Sequence, residues 1–262
     1  MCKFFEISRS GYYDWLKRME RPDKDESVAE LITDCQKKND YTYGYRRVKL
    51  WLQRNTGLAM NHKAVLRIMN KYGLLAQIRR RRKYYGYHHQ YHKYENRLKQ
   101  DFQVDKPNQK WVTDVTYIFT KQGTLYLSAI KDLYDNFIVA YKVMTENSNQ
   151  LVFDTLKQAK KEVSDGLILH SDQGYQYTSN EYSNLTMKYG ILPSMSRAGT
   201  PLDNAPAENF FGILKSECLY RHKPKSNEEA RLLIDDYIHF YNYERIQLKT
   251  KLTPYEKRCQ LV

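Results

Sequence analysis

The chain has 262 residues, 28% of them charged, and a formal net charge of +13, which gives a sequence pI near 9.4. That length allows one or two domains with cores of their own, and the basic surplus points to a polyanionic partner, because clustered Lys and Arg displace counterions condensed on phosphates. No stretch approaches the roughly 18 apolar residues of a membrane-spanning helix, no apolar leader with a small-residue cleavage site opens the chain, and Cys2, Cys35, Cys218 and Cys259 offer neither a disulfide framework nor zinc spacing.

Residues 1–24 open on an aromatic-rich helical pattern, Tyr12, Tyr13, Trp15 and Leu16, that ends before Pro22. A second helix is predicted from about Asp25 to Lys38, with Val28, Leu31, Ile32 and Cys35 at helical spacing. Val48 to Arg54 can form a third. Asn55 to Met60 then reads as a turn, with Asn61 as the N-cap of a fourth helix carrying Val65, Ile68, Met69 and Tyr72 on one face. Gly73 suits that helix's end. Lys63 and Arg67 lie off the apolar face. Two short helices around a tight turn in a basic setting predict a helix-turn-helix over 25–78, with Lys63 and Arg67 as DNA contacts.

From Arg79 the composition changes. Arg79, Arg80, Arg81, Arg82 and Lys83 are followed by Tyr84, Tyr85, Tyr87, Tyr91 and Tyr94, interleaved with His88, His89 and His92. Five like charges in a row repel one another, so 79–106 is predicted to be a linker. Its basic residues can contact phosphates and its aromatic faces can stack on exposed bases.

Residues 107–262 read as mixed α/β. WVTDVTYIFT, LYLSAIKDLY and FIVAYKVM are three strand-like runs separated by KQGT and DN, which predicts an antiparallel meander. Helical spacing covers 148–163, LILHSD is an apolar fourth strand, 179–189 is helical, and ILPSMS forms a fifth strand interrupted by Pro193. A Gly- and Pro-containing loop leads into a helix beginning near Pro206. A last long helix starts at Ser226, with a capping box to Glu229.

Three acids stand out by position. Asp114 lies inside the apolar first strand, where a carboxylate is costly unless paired or bound to a metal. Asp172 ends the apolar fourth strand, before Gln173 and Gly174, and Glu208 falls in the first turn of the helix after the loop. Magnesium takes hard oxygen ligands, and three carboxylates from separate elements can hold two ions for in-line displacement at phosphorus. At 100° per residue, Gly212 and Lys215 share the Glu208 face, while Phe210, Ile213 and Leu214 lie opposite. Docking of the apolar face would then turn Glu208 and Lys215 together toward the site. Glu217 falls among the apolar positions. Asp132 and Asp135 read as turn residues. Asp203 and Asn204 either organise the loop before Glu208 or approach DNA, and His170 shares the Asp172 face as a hydrogen-bonding support or a packed core residue.

Asp172 and Glu208 are separated by thirty-five residues, and Lys215 follows Glu208 by seven. WVTDVTYI, HSDQGYQYTS and LDNAPAENFFGILKSE resemble the three blocks of the DDE transposase and retroviral-integrase superfamily, above all the OrfB-type transposases of bacterial insertion sequences. SRSGYYDWLKR, YGYRRV and YNYERIQLKTKLTPYEKR extend that resemblance over almost the whole chain. It implies a ribonuclease-H-like catalytic core, that is, a mixed sheet flanked by helices, behind a small all-α helix-turn-helix region. It implies Mg2+ or Mn2+ dependence with two ions, and DNA cleavage at transposon ends coupled to strand transfer into target DNA. Asp114, Asp172 and Glu208 become the catalytic, metal-holding triad and Lys215 the DNA-contacting base. The partners it implies are terminal inverted repeats, target DNA, further copies of the chain assembled on DNA, and an upstream-frame OrfA product, separate or fused, in a bacterial cytoplasm at the nucleoid. Two departures limit the carry-over: the His/Cys zinc module of retroviral integrases has no equivalent, and no sustained heptad marks an OrfA-type coiled coil.

Overall fold

The computed structural model describes residues 8–19, 23–77 and 94–260. The chain divides into two compact units, Met1–Ile78 and Arg79–Val262.

The first unit is helical among its described residues: α1 (Arg9–Met19), α2 (Glu26–Lys38), α3 (Tyr45–Thr56) and α4 (His62–Lys71). The helical spacing read from the sequence becomes a core of Ala29, Ile32, Cys35, Val48, Leu52, Val65, Ile68 and Met69, all buried. Gly57, at a φ of 71°, ends α3 in the left-handed region that glycine enters without steric cost. The Asn61 side chain then accepts from the Lys63 amide at 2.9 Å and caps α4. Buried Gln36 ties this bundle together, its Nε2 donating to the Tyr43 carbonyl at 2.9 Å and the Leu74 carbonyl at 2.7 Å. Tyr12, Tyr13 and Trp15 of α1 stay exposed.

The second unit is built on five strands, β1 (Lys110–Thr120), β2 (Gly123–Asp132), β3 (Ile138–Met144), β4 (Ile168–Ser171) and β5 (Leu192–Met195), in the order β3-β2-β1-β4-β5. The predicted meander is present: β1–β2 and β2–β3 are antiparallel, with Asp114 opposite Ala129. β4 and β5 add in parallel on the other side of β1. Pro193, which cannot donate to a ladder, sits in the last strand of that order. The remaining helices are α5 (Asn149–Ala159), α6 (Asn180–Lys188), α7 (Ala205–Leu214), α8 (Tyr220–His222), α9 (Asn227–Tyr243) and α10 (Pro254–Cys259). Side-chain alternation divides the sheet into two covered faces. Trp111, Ile130 and Ala140 pack under α5 and α6 with Val152, Leu156 and Tyr182. Ile118, Leu125, Leu127, Ala129 and Ile138 pack under α7 and α9 with Phe210, Leu214, Ile234 and Tyr241.

Two details differ from the sequence reading. Ser226 caps α9 by accepting from the Glu229 amide at 3.1 Å, but Glu229 reaches one residue further back, to the Lys225 amide at 2.6 Å, so the box is not reciprocal. The helix begun at Ala205 also does not run on regularly. Lys215–Leu219 form a single wide turn of π type, which local periodicity gives no means of anticipating.

Candidate active site

β4 pairs with β1 in parallel, and Val112 stands beside His170. β4 ends at Ser171, so Asp172 follows directly on the strand beside β1, and its charge acts on Asp114. Asp114 belongs to the face of β1 that meets α7. Its Oδ1 accepts from the Val115 amide at 2.8 Å. Burial, then the Asp172 charge, push the Asp114 carboxyl well above its usual range; the Glu208 charge adds to this and the Lys215 charge opposes it. The Asp172 carboxyl is raised by burial too, against one hydrogen bond at 2.9 Å from the Gly174 amide. Glycine at 174 is a matter of space: a Cβ there would stand 2.9 Å from Asp172 Oδ1 and 3.0 Å from Gln176 Oε1.

Glu208 arrives on the first turn of α7, exposed. Three residues fix the start of that helix. Asn204 Nδ2 donates to the Thr113 carbonyl, next to Asp114, at 3.1 Å. Lys131, 5% exposed on β2, donates to the Pro206 carbonyl at 3.1 Å. Asp203, fully buried, accepts from Asn96 Nδ2 at 2.8 Å, Gln100 Nε2 at 2.7 Å, and the Arg197 amide, Nε and Nη2 at 2.9, 3.1 and 3.0 Å. Burial works to raise the Asp203 carboxyl, but the Arg197 contacts and Gln100 hold it well below the usual carboxylate range. Burial, with the Arg245 charge, brings the Lys131 ammonium down to about 7. Of the two readings the sequence left open for Asp203 and Asn204, the structure places both in the organisation of the loop. Lys131, Asn96 and Gln100 carry no local sequence signal, since these contacts join residues 75, 107 and 103 positions apart; of the partners of Asp203 only Arg197, six residues away, is local.

Lys215 occupies the wide turn after α7. Its Nζ donates to Thr116 Oγ1 at 2.6 Å and lies 4.7 Å from the centre of the Tyr117 ring. Burial lowers its ammonium while Asp114 works to raise it. Phe210 and Leu214 are buried and Ile213 packs half-buried against the same core, as the helical-wheel reading requires; Phe211, only about 60° from Glu208 on that wheel, is buried as well. Glu217, in the same wide turn, is buried in an ion pair with Arg245 at 2.7 Å and accepts from the Tyr237 hydroxyl at 2.7 Å. His170 is a packed residue, its ring nitrogens 2.9 and 3.0 Å from the Ser194 and Ser196 hydroxyls, and burial lowers it to about 4. Asp132 and Asp135 accept from Tyr134 and Phe137 amides in the β2–β3 turn and share Arg258 at 2.7 Å each.

Thus Asp114 and Asp172 are brought together, and the charges of Glu208 and Lys215 act on Asp114. Among the described residues, no three His, Cys, Asp or Glu side chains are gathered closely enough to enclose a metal ion. The pair nonetheless fits a divalent cation in its chemistry, since two hard, partly buried, mutually repelling carboxylates are relieved by one. In the helical unit, Lys63 is exposed in the first turn of α4, and Arg67 makes a two-pronged contact to Asp25 at 2.7 Å. Arg79, Arg80, Arg81, Arg82 and Lys83 lie outside the described residues.

Integrase core domain models match residues 104–201 and 208–261, and an HTH-like domain model matches 22–82. Over 260 residues the chain is 42% identical to the InsK transposase of insertion element IS150 from Escherichia coli (strain K12), across 97% of this chain and 91% of that one. The chain belongs to the insertion-sequence transposases that carry an integrase core. Other relatives are the InsF transposase of IS3A from Escherichia coli (strain K12), 31% identical across 91% of this transposase and 85% of that one, and the IS904 transposase of Lactococcus lactis, 36% identical across 86% and 92%. In three dimensions it is similar to a chain of the simian T-cell lymphotropic virus intasome in complex with PP2A regulatory subunit B56 gamma, at a TM-score of 0.51 and 14% identity over 80% of this transposase and 74% of that chain. The core is therefore ribonuclease-H-like, behind an all-helical HTH-like region. The transposase is a polynucleotidyl transferase of the DDE class, acts on DNA, and belongs to a metal-dependent core family. No helix among the described residues is long and apolar enough to cross a membrane.

Proposed function

We propose that the transposase cleaves DNA at the ends of its element and joins them to target DNA, with Asp114, Asp172 and Glu208 holding two Mg2+ or Mn2+ ions. The observation that supports this reading is the closeness of Asp172, directly after β4, to Asp114 on the neighbouring β1, with the charges of Asp172, Glu208 and Lys215 all acting on the Asp114 carboxyl. Bound ions would supply Lewis-acid polarisation of the phosphoryl oxygen and stabilise the attacking and leaving oxygens. The chain's own side chains bind and orient. The three carboxylates hold the ions, Lys215 holds a DNA phosphate, and the Asp203, Asn204 and Lys131 contacts fix the helix from which Glu208 projects.

Water adds at the phosphorus of an end phosphodiester, the P–O3′ bond breaks, and a 3′-hydroxyl is released with a 5′-phosphate on the other fragment. That 3′-oxygen then bonds to a phosphorus of target DNA and displaces a second 3′-hydroxyl. Both displacements take place on DNA atoms and need no protein nucleophile. In this reading, 25–78 binds DNA through Lys63 and Arg67. The segment 79–106 links it to the core of 107–262, with Arg79–Lys83 on phosphates. Copies of the chain assemble on the terminal inverted repeats, with an OrfA product as the further partner.

The test is cleavage and joining of a duplex carrying the element's end. Asp114→Asn, Asp172→Asn and Glu208→Gln should each abolish both while DNA binding survives, since each removes a charged ligand with little change of shape. A variant that cleaves at the wild-type rate removes its residue from the site. A wild-type chain that binds without cutting is a DNA-binding regulator, and one that cuts without joining is a nuclease of the same fold.

A further inference from the structure

β4 accompanies β1 only through Lys110–Val112. Beyond that point β1 has no strand partner on its outer edge among the described residues, while β3 flanks β2 as far as Tyr126, opposite Tyr117, and only the tip past that pair is a two-stranded ribbon. Along β1, Asp114, Thr116 and Ile118 share the face that meets α7, and Tyr117 and Phe119 share the other. α5 and α6 cover that second face nearer the middle of the sheet, over Trp111, Ile130 and Ala140. Toward the tip Tyr117 is 49% exposed and Phe119 72%. Their ring centres are 5.2 Å apart with planes inclined by 52°, and Tyr126, partly exposed, stands opposite Tyr117 on β2. Single exposed apolar residues are ordinary on a protein surface, but adjoining exposed aromatic rings on an uncovered strand face are not. The nearest cation is also informative: Lys215 Nζ lies at the strand edge, 4.7 Å from the Tyr117 ring centre and 2.6 Å from Thr116 Oγ1. Tyr117 is three residues from Asp114, about 10 Å along a strand.

We propose that Tyr117 and Phe119 form a stacking platform for unpaired DNA bases beside the cleavage site, with Lys215 holding the phosphate backbone between platform and carboxylates. A ring offers every base a face, so such a platform tolerates any sequence, and a neighbouring cation adds the backbone contact that apolar rings lack. The occupant is DNA rather than a second copy of the chain because the cation serves both the aromatic ring and the acidic site. This inference rests on the reading of Asp114 and Lys215 as parts of a DNA site. It predicts that the transposase prefers an end whose terminal bases are unpaired over the same end fully paired.

The experiment uses the full chain with chelator present, so that nothing is cleaved. Tyr117→Thr with Phe119→Thr keeps β-branched residues on exposed strand positions and so preserves the ribbon. Binding is measured to a duplex with a short unpaired tail and to the fully paired duplex, with 2-aminopurine in the tail to report stacking. The double variant should lose about tenfold or more in affinity for the tailed duplex, little for the paired one, and the change in 2-aminopurine fluorescence. Its slope of log affinity against log salt should match wild type, whereas Lys215→Ala should flatten that slope by about 0.7. Tyr117→Trp with Phe119→Trp should restore tail binding. Wild-type affinity of the threonine variant for the tailed duplex overturns the platform, as does an equal fold loss on both duplexes. A change in sedimentation without a change in tail binding would make the rings a subunit contact and overturn it as well. Failure of the catalytic reading shows separately, as cleavage by Asp114→Asn.

Discussion

The two carboxylates at the centre of the site should make the metal-free protein less stable than it would be without one of them. Asp114 is partly buried and raised by burial and by Asp172, and Asp172 is itself raised by burial. A group whose folded-state pKa is raised costs nothing below its unfolded value, near 4. The cost develops as pH climbs toward the folded value and is complete above it. Asp114→Asn removes one charge of the pair at constant shape. At an effective dielectric of about 20, two charges about 4–8 Å apart repel by about 2–4 kcal/mol. Retention of a proton by the pair limits the penalty, so the lower figure is the one to use. For a domain of this size each kcal/mol moves the melting temperature by about 2–4 °C, so about 4–8 °C is expected. Thermal unfolding of wild type and variant in chelator, at several pH values between about 5 and 8, should show the variant ahead by a margin that widens with pH. Millimolar Mg2+ should then raise wild type, because a ligand bound only by the folded state stabilises it by mass action, and should raise the variant much less. A variant that melts lower than wild type in chelator, or that gains as much from Mg2+, would refute the reasoning.

Other substitutions probe the surroundings of that pair. Glu217→Gln leaves Arg245, 1% exposed, without its buried counter-charge, and should cost about 3–5 kcal/mol in denaturant unfolding. Tyr237→Phe, which removes one hydrogen bond to the same carboxylate, should cost only about 1 kcal/mol. Gly174→Ala would set a methyl 2.9 Å from Asp172 Oδ1, so cleavage should fall steeply while duplex binding, read by gel shift, stays at wild type. Lys215→Ala should raise the DNA concentration needed for half-maximal cleavage and leave the Mg2+ requirement nearly unchanged, as separate titrations of DNA and Mg2+ would show.

Much of this was legible because it is local. Asp114 is conspicuous as a charge inside a run of strand formers, the apolar face of α7 follows from 3.6-residue geometry, and Asn61 announces α4 by its chemistry. The sheet order follows less directly, but an antiparallel meander plus two apolar runs separated by helices leaves few arrangements. What stayed hidden joins distant points. Arg245 meets Glu217 across 28 positions and Lys131 meets Pro206 across 75, and neither pairing leaves a periodic trace. Glu217 drew attention as an acid among apolar positions, and only its buried partner explains it. The wide turn at Lys215–Leu219 shifts the helical phase past α7, but Lys215 opens that turn directly after the regular helix and reaches Thr116 and Tyr117.

Arg258 has a consequence for biosynthesis. It belongs to α10, but the carboxylates it neutralises, Asp132 and Asp135, end the second strand and begin the turn after it. Both are fully buried, and burial, with Asp135 nearby, lifts the Asp132 carboxyl to about 6. On the ribosome, these two acids are made well over a hundred residues before their arginine. Until α10 emerges, the two acids keep partners in the Asn108, Tyr134 and Phe137 amides but lack this counter-charge. A chain interrupted before Arg258 should therefore be cut by a protease at the β2–β3 turn more readily than the full chain.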